Sequence, residues 1–200
     1  VGYDYDNRMR AGNTDENGVP CLPAGCLYSR PADRTDAFVN LAPKLGLSVE
    51  LSERVAAYAA ASMGFRPPEI TELYRLQRNQ ESADLDSERL DALEAGIKAS
   101  LPSLDLALAL FTMRKRDVIL RESNGFNVGD GETSHRGLEY ELRWRPLDAL
   151  ELGAAGTFAR HRYEFSRAVE GGELIADGND VDTAPRQLHR AALRWDAADR

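Results

Sequence analysis

No stretch of this 200-residue chain is apolar enough for a membrane helix. The longest uninterrupted apolar run is residues 55–61, against the roughly 20 residues such a span needs. Mean hydropathy is −0.46, and helical membrane proteins are excluded. The same absence does not exclude a transmembrane β-barrel, whose strands need only about 9 to 11 residues with alternate ones facing lipid. Positive charge is also short: 25 Lys and Arg against 33 Asp and Glu leave a formal charge of −8, which argues against a nucleic-acid partner. Cysteine is nearly missing. Only Cys21 and Cys26 occur, and His135, His161 and His189 are scattered singly, so no Cys₂His₂ zinc pattern assembles. A small loop disulfide between Cys21 and Cys26 is expected, with free thiols as the alternative, and it would place that loop in an oxidising compartment. Residues 1–6 hold no initiator Met, basic n-region or apolar h-region; no targeting signal is readable there, and the chain reads as a fragment.

What is present is alternation. Leu138-Glu139-Tyr140-Glu141-Leu142-Arg143-Trp144 alternates apolar and charged residues without a break, a period of two rather than 3.6. In a strand this sets Leu138, Tyr140, Leu142 and Trp144 on one face and Glu139, Glu141 and Arg143 on the other. Similar patterns run through residues 45–51, 104–110 and 150–154. Short turns at residues 52–53, 101–103 and 146–148 alternate with polar loops at residues 10–34, 66–88, 122–134 and 168–185. The expected fold is all-β: about eight antiparallel up-and-down strands with every short turn at one end and every long loop at the other, the asymmetry of large transmembrane barrels with short periplasmic turns and long extracellular loops. Trp144 and Trp195 fall in the apolar phase, two residues after Leu142 and Leu193, as interfacial aromatics of a barrel do. Residues 54–63 and 88–100 are also acceptable helices on propensity, which keeps a soluble α+β fold or β-sandwich as a rival.

Three stretches resemble one family. Tyr58-Ala-Ala-Ala-Ser62-Met-Gly64-Phe65-Arg66-Pro67-Pro68-Glu69-Ile70-Thr-Glu72-Leu73-Tyr74 resembles a strand and loop entry in the barrels of TonB-dependent outer-membrane receptors. Thr133-Ser-His135-Arg136-Gly137-Leu138-Glu139-Tyr-Glu141-Leu142-Arg-Trp144-Arg-Pro146 resembles a later barrel strand of that family. Gly178-Asn179-Asp-Val-Asp-Thr-Ala184-Pro185-Arg186 is similar to its next loop. The resemblance covers residues 36–195 and implies that residues 1–200 are part of a barrel of about 22 strands, without its plug domain and remaining strands. It implies TonB-coupled import, across the bacterial outer membrane, of a scarce ligand such as a ferric siderophore or cobalamin. The implied partners are outer-membrane lipid, the receptor's own plug, the TonB complex through an N-terminal part outside this chain, and a small-molecule ligand such as an iron chelate.

No catalytic constellation and no cofactor is expected. Ser134 and His135 are adjacent, so a strand points them to opposite faces, and no Gly-x-Ser-x-Gly turn holds the serine. A hydrolase using them is the enzyme rival, and a secreted soluble β-sandwich binding module is the other. The acidic run at residues 177–182 lacks the spacing and closing Glu of an EF-hand. Glu139, Glu141 and Arg143, with Glu94 and Lys98, are expected to line the lumen, and Leu138, Tyr140, Leu142, Trp144, Leu193 and Trp195 to face lipid. Tyr74, Arg75, Arg78, Arg160 and Arg162 are the loop candidates for ligand binding, since recognition usually sits in loops on a rigid scaffold.

Overall fold

The computed structural model describes residues 1–5, 34–74, 83–123, 125–182 and 184–197. The elements in chain order are β1 (Gly2–Tyr5), β2 (Arg34–Ala37), β3 (Lys44–Ser52), β4 (Val55–Arg66), α1 (Ile70–Leu73), β5 (Glu88–Leu101), β6 (Leu104–Arg121), β7 (Asn127–Leu147), β8 (Leu150–Tyr163), β9 (Arg167–Ala168), β10 (Leu174–Ile175) and β11 (Gln187–Trp195). Seven of these form one antiparallel sheet in the order β11-β8-β7-β6-β5-β4-β3, while β1 with β2 and β9 with β10 make separate small pairs. Every main strand pairs with its nearest neighbours along the chain, so the topology is up-and-down. The segments acceptable as helices on propensity, residues 54–63 and 88–100, form β4 and β5 instead, because cross-strand pairing outweighs weak local preference.

Two-residue turns at 53–54, 102–103 and 148–149 join β3 to β4, β5 to β6 and β7 to β8 at one end. The connections at the other end are longer, with one correction to the sequence reading. Residues 127–134, expected in a loop, are the first part of β7 and pair with the far half of β6. They look like a loop because both of their faces are polar. Near this end β6 carries irregular register between Lys115 and Val118, with Asp117 at φ 55°, the bulge signature that bends a strand and raises its twist.

Among the described residues the buried apolar side chains are Pro68, Leu73, Tyr74, Leu85 and Ile175. None lies in the seven-stranded sheet. A sandwich buries one sheet face against another, whereas no strand of this sheet contributes a buried apolar side chain among the described residues. The small core that does exist is at the long-loop end, where Leu73, Tyr74 and Leu85 gather with Tyr3, Phe38, Ala83 and Ile119.

Candidate functional site

Register converts seven strands into two chemically different faces. Leu101, Leu104, Trp144, Leu152 and Leu193 lie in one cross-strand row, and Ala95, Leu110, Leu138 and Phe158 in another on the same face. Leu142 and Tyr140 lie between these rows, paired with Leu106 and Leu108, and Trp195 beyond them, paired with Leu150. The apolar face is open to its surroundings: Leu110 is 62% exposed, Leu193 68% and Trp195 72%. Contiguous apolar surface on this scale marks a lipid or protein contact. Tyr140 stacks on Phe158, and His189 of the edge strand β11 joins them with Nδ1 3.2 Å from the Tyr140 hydroxyl.

The other face is polar. Glu94, Lys98, Glu139, Glu141 and Arg143 all fall on it, as the pairings of Lys98 with Ala107 and of Ala107 with Glu141 require. The Tyr58 hydroxyl donates to Glu94 Oε1 at 2.7 Å, and Lys98 Nζ stands 5.5 Å from the Tyr58 ring centre. Ser100 donates to Asp105 at 2.7 Å, Arg145 reaches the same carboxylate at 3.0 Å, and Arg143 lies 3.9 Å from Glu151. Glycines let rings lie flat along this wall: a Cβ on Gly96 would meet the Tyr58 ring at 2.5 Å, and one on Gly137 the Phe111 ring at 2.7 Å. Tyr58, Glu139, Glu141 and Arg190 border a groove of about 570 Å³ along the wall.

The long-loop end carries a buried ion network. Glu88, 2% exposed, accepts from Arg66 Nε at 2.6 Å, Lys115 Nζ at 2.8 Å and the backbone N–H of Ile119 at 3.0 Å. Arg66 also grips Glu72 of α1 with both guanidinium nitrogens, at 3.0 and 3.1 Å, a bidentate fork. Burial by itself pushes the Glu88 carboxyl up. The Arg66 and Lys115 bonds and the Ile119 N–H together outweigh it, and its pKa is held at about 2. Asn127 Nδ2 donates to the Glu72 carbonyl at 2.8 Å, which ties α1 to the start of β7.

The sequence candidates fall unevenly on this frame. Tyr74 is buried, its hydroxyl donating to Asp36, and its pKa is pushed up to about 12 by burial and then by that bond. Arg160 and Arg162 are not loop residues: β8 runs on to Tyr163 against the far half of β7, and both project from the face that carries Leu138. Arg75, Arg78, Cys21 and Cys26 lie outside the described residues. Ser134 and His135 sit on opposite faces, Ser134 bonded to Glu164 and His135 contacting His161 and Thr133. The hydrolase dyad is therefore not assembled. The His135–His161 contact and the Glu88 network escaped the sequence reading, because both depend on register between separate strands.

A family model described as TonB dependent receptor-like, beta-barrel matches residues 1–199. Solved structures share the fold. The ferric-catecholate import receptor Fiu of E. coli K12 is 16% identical with a TM-score of 0.66, over 92% of this chain and 26% of that one. The copper transporter OprC is 15% identical with a TM-score of 0.65, over 81% and 25%. The siderophore receptor PiuA of Acinetobacter baumannii is 17% identical with a TM-score of 0.63, over 82% and 25%. This chain thus spans about a quarter of the length of each.

Proposed function

Since the chain belongs to the TonB-dependent receptor-like β-barrel family, we propose that it forms part of the barrel wall of a receptor that imports a scarce ligand across the outer membrane. The observation that carries this is the two-faced single-layer sheet. Its apolar face needs lipid, and its polar face needs a hydrated interior. Along β7 the apolar phase spans residues 138–147, ten residues, in keeping with the 9 to 11 that cross a bilayer as a tilted strand. The eleven remaining residues of β7 stand beyond the bilayer on the long-loop side. Leu138, Tyr140, Leu142, Trp144, Leu193 and Trp195 face lipid in this reading, and Glu94, Lys98, Glu139, Glu141 and Arg143 face the lumen.

Transport then divides by position. Loops at the long-loop end, with Arg75 and Arg78 following α1, capture an iron chelate or a ligand of similar scarcity. A plug supplied by the rest of the receptor gates its passage, and energy arrives through the TonB complex. The hydrated lumen wall, rich in paired carboxylates and cations, holds the plug without catalysing a reaction. Deleting the gene in an iron-starved host and measuring radio-iron uptake from a panel of chelates tests this. The expected result is loss of uptake for at least one chelate, restored by the wild-type gene only when TonB is functional. Unchanged uptake of iron chelates and cobalamin alike would sink the transport reading.

A further inference from the structure

Met113, His135 and His161 occupy one row across β6, β7 and β8 on the polar face. Directly paired residues carry Cβ atoms about 4.5 to 5.5 Å apart, so the three side chains share one patch of wall. The two imidazoles are in contact: Nδ1 of His135 lies 2.9 Å from Nδ1 of His161. The other ring nitrogen of His135, Nε2, is 2.9 Å from Oγ1 of the buried Thr133. With Nε2–H donating to that hydroxyl, Nδ1 of His135 carries its lone pair toward His161. Metal-binding histidines are commonly fixed this way through their second nitrogen.

We propose that Met113, His135 and His161 bind a copper ion on the polar wall, through the two Nδ1 atoms and the Met113 thioether. The spacing favours this metal. At a metal–imidazole distance of about 2.0 to 2.1 Å, a 2.9 Å separation subtends about 90°, the angle of a tetragonal site, whereas a tetrahedral site needs about 3.3 Å. Tetragonal nitrogen coordination suits Cu(II), and a soft thioether suits Cu(I). Among the described residues no three His, Cys, Asp or Glu side chains gather as a metal site, so the third donor is the flexible methionine. On binding, the Nδ1 proton of His161 moves to its own Nε2, and both rings ligate as neutral imidazoles. The outward neighbours Ser134 and Arg136 set His135 beyond the apolar stretch of β7. The site adds a metal-binding step to the wall and does not depend on TonB coupling.

The test titrates the intact receptor in detergent micelles with Cu(II), and with Cu(I) under reducing conditions, against a competing chelator. The expected result is one tightly held equivalent, with nitrogen splitting in the electron paramagnetic resonance of the Cu(II) form. His135→Ala and His161→Ala should each weaken binding roughly 100-fold or more, and Thr133→Val about 10- to 100-fold. Met113→Leu should weaken Cu(I) more than Cu(II). Heat-modifiable gel migration identifies the folded variants, and His161→Gln replaces an alanine variant that fails to fold. Copper affinity unchanged in folded variants of both histidines, or a Cu(II) spectrum without nitrogen splitting, would overturn the proposal.

Discussion

Replacing Leu142 with arginine puts a charge on the face assigned to lipid, at a depth the strand itself defines. The apolar phase of β7 ends at Leu138 on one side and Leu147 on the other, four and five residues away. At about 3.4 Å per residue these are roughly 14 and 17 Å of strand, and a tilt of about 40° reduces them to about 10 and 13 Å of depth. The sum is close to the roughly 25 Å apolar band of a barrel, so on this assignment Leu142 lies near its middle and Trp144, two residues on, lies inside the band rather than at the interface expected for it. Leu142→Arg should then destabilise by about 2 to 4 kcal/mol, and Leu147→Arg, at the edge, by about 0 to 1. Arg143→Gln is the internal control. Its side chain lies on the face assigned to the lumen, its contact with Glu151 is long at 3.9 Å and exposed, and its loss should cost under about 1 kcal/mol. Urea titrations of the full-length receptor folding into lipid vesicles measure all three. Equal penalties at 142 and 143, or a larger one for Arg143→Gln, would refute the assignment of faces.

Glu88→Gln should destabilise the folded receptor by on the order of 3 kcal/mol at pH 7, because it breaks a buried pair. The folded carboxyl titrates at about 2, below its ordinary 4.5, so its contribution is present above about pH 4.5 and is lost as pH falls toward 2. Unfolding curves of wild type and variant should converge over that window, and a gap that stays constant with pH would contradict the network. Gly137→Ala should cost about 1 to 3 kcal/mol, since the new Cβ would stand 2.4 Å from the Phe158 carbonyl and 2.7 Å from the Phe111 ring; a neutral result in the same titration would mean that the wall yields there. Mass spectrometry of the exported, unreduced protein should find Cys21 and Cys26 joined, and two alkylatable thiols would contradict that expectation.

Alternation is enough to sort residues 138–144 of β7 into an apolar and a polar face, because successive strand residues point to opposite sides. It fails where both sides are polar. Residues 127–134 are strand but carry polar groups on both sides, and no periodicity remains to distinguish them from a loop. Arg160 and Arg162 were misread for the same reason. The His135–His161 contact was hidden by a register shift. Counting outward from the Leu147↔Leu150 pair in ideal register sets Arg162 opposite His135, but the irregularity between Trp144 and Leu147 slides the pairing by one. A one-residue slip changes which side chains share a row and a face. The Glu88 network joins β4, α1, β5 and β6 around one carboxylate, and none of its spacings is local enough to form a motif.

The central claim, lipid on one face of this sheet and water on the other, is tested most directly by spin labels placed singly at residues 138–144 of the full-length receptor in lipid vesicles. Power saturation then reports oxygen access against access to a water-soluble nickel chelate. The account predicts strict alternation: oxygen-accessible at 138, 140, 142 and 144, chelate-accessible at 139, 141 and 143, with oxygen access greatest near 142. Uniform access along the stretch, or alternation in the opposite phase, would contradict it.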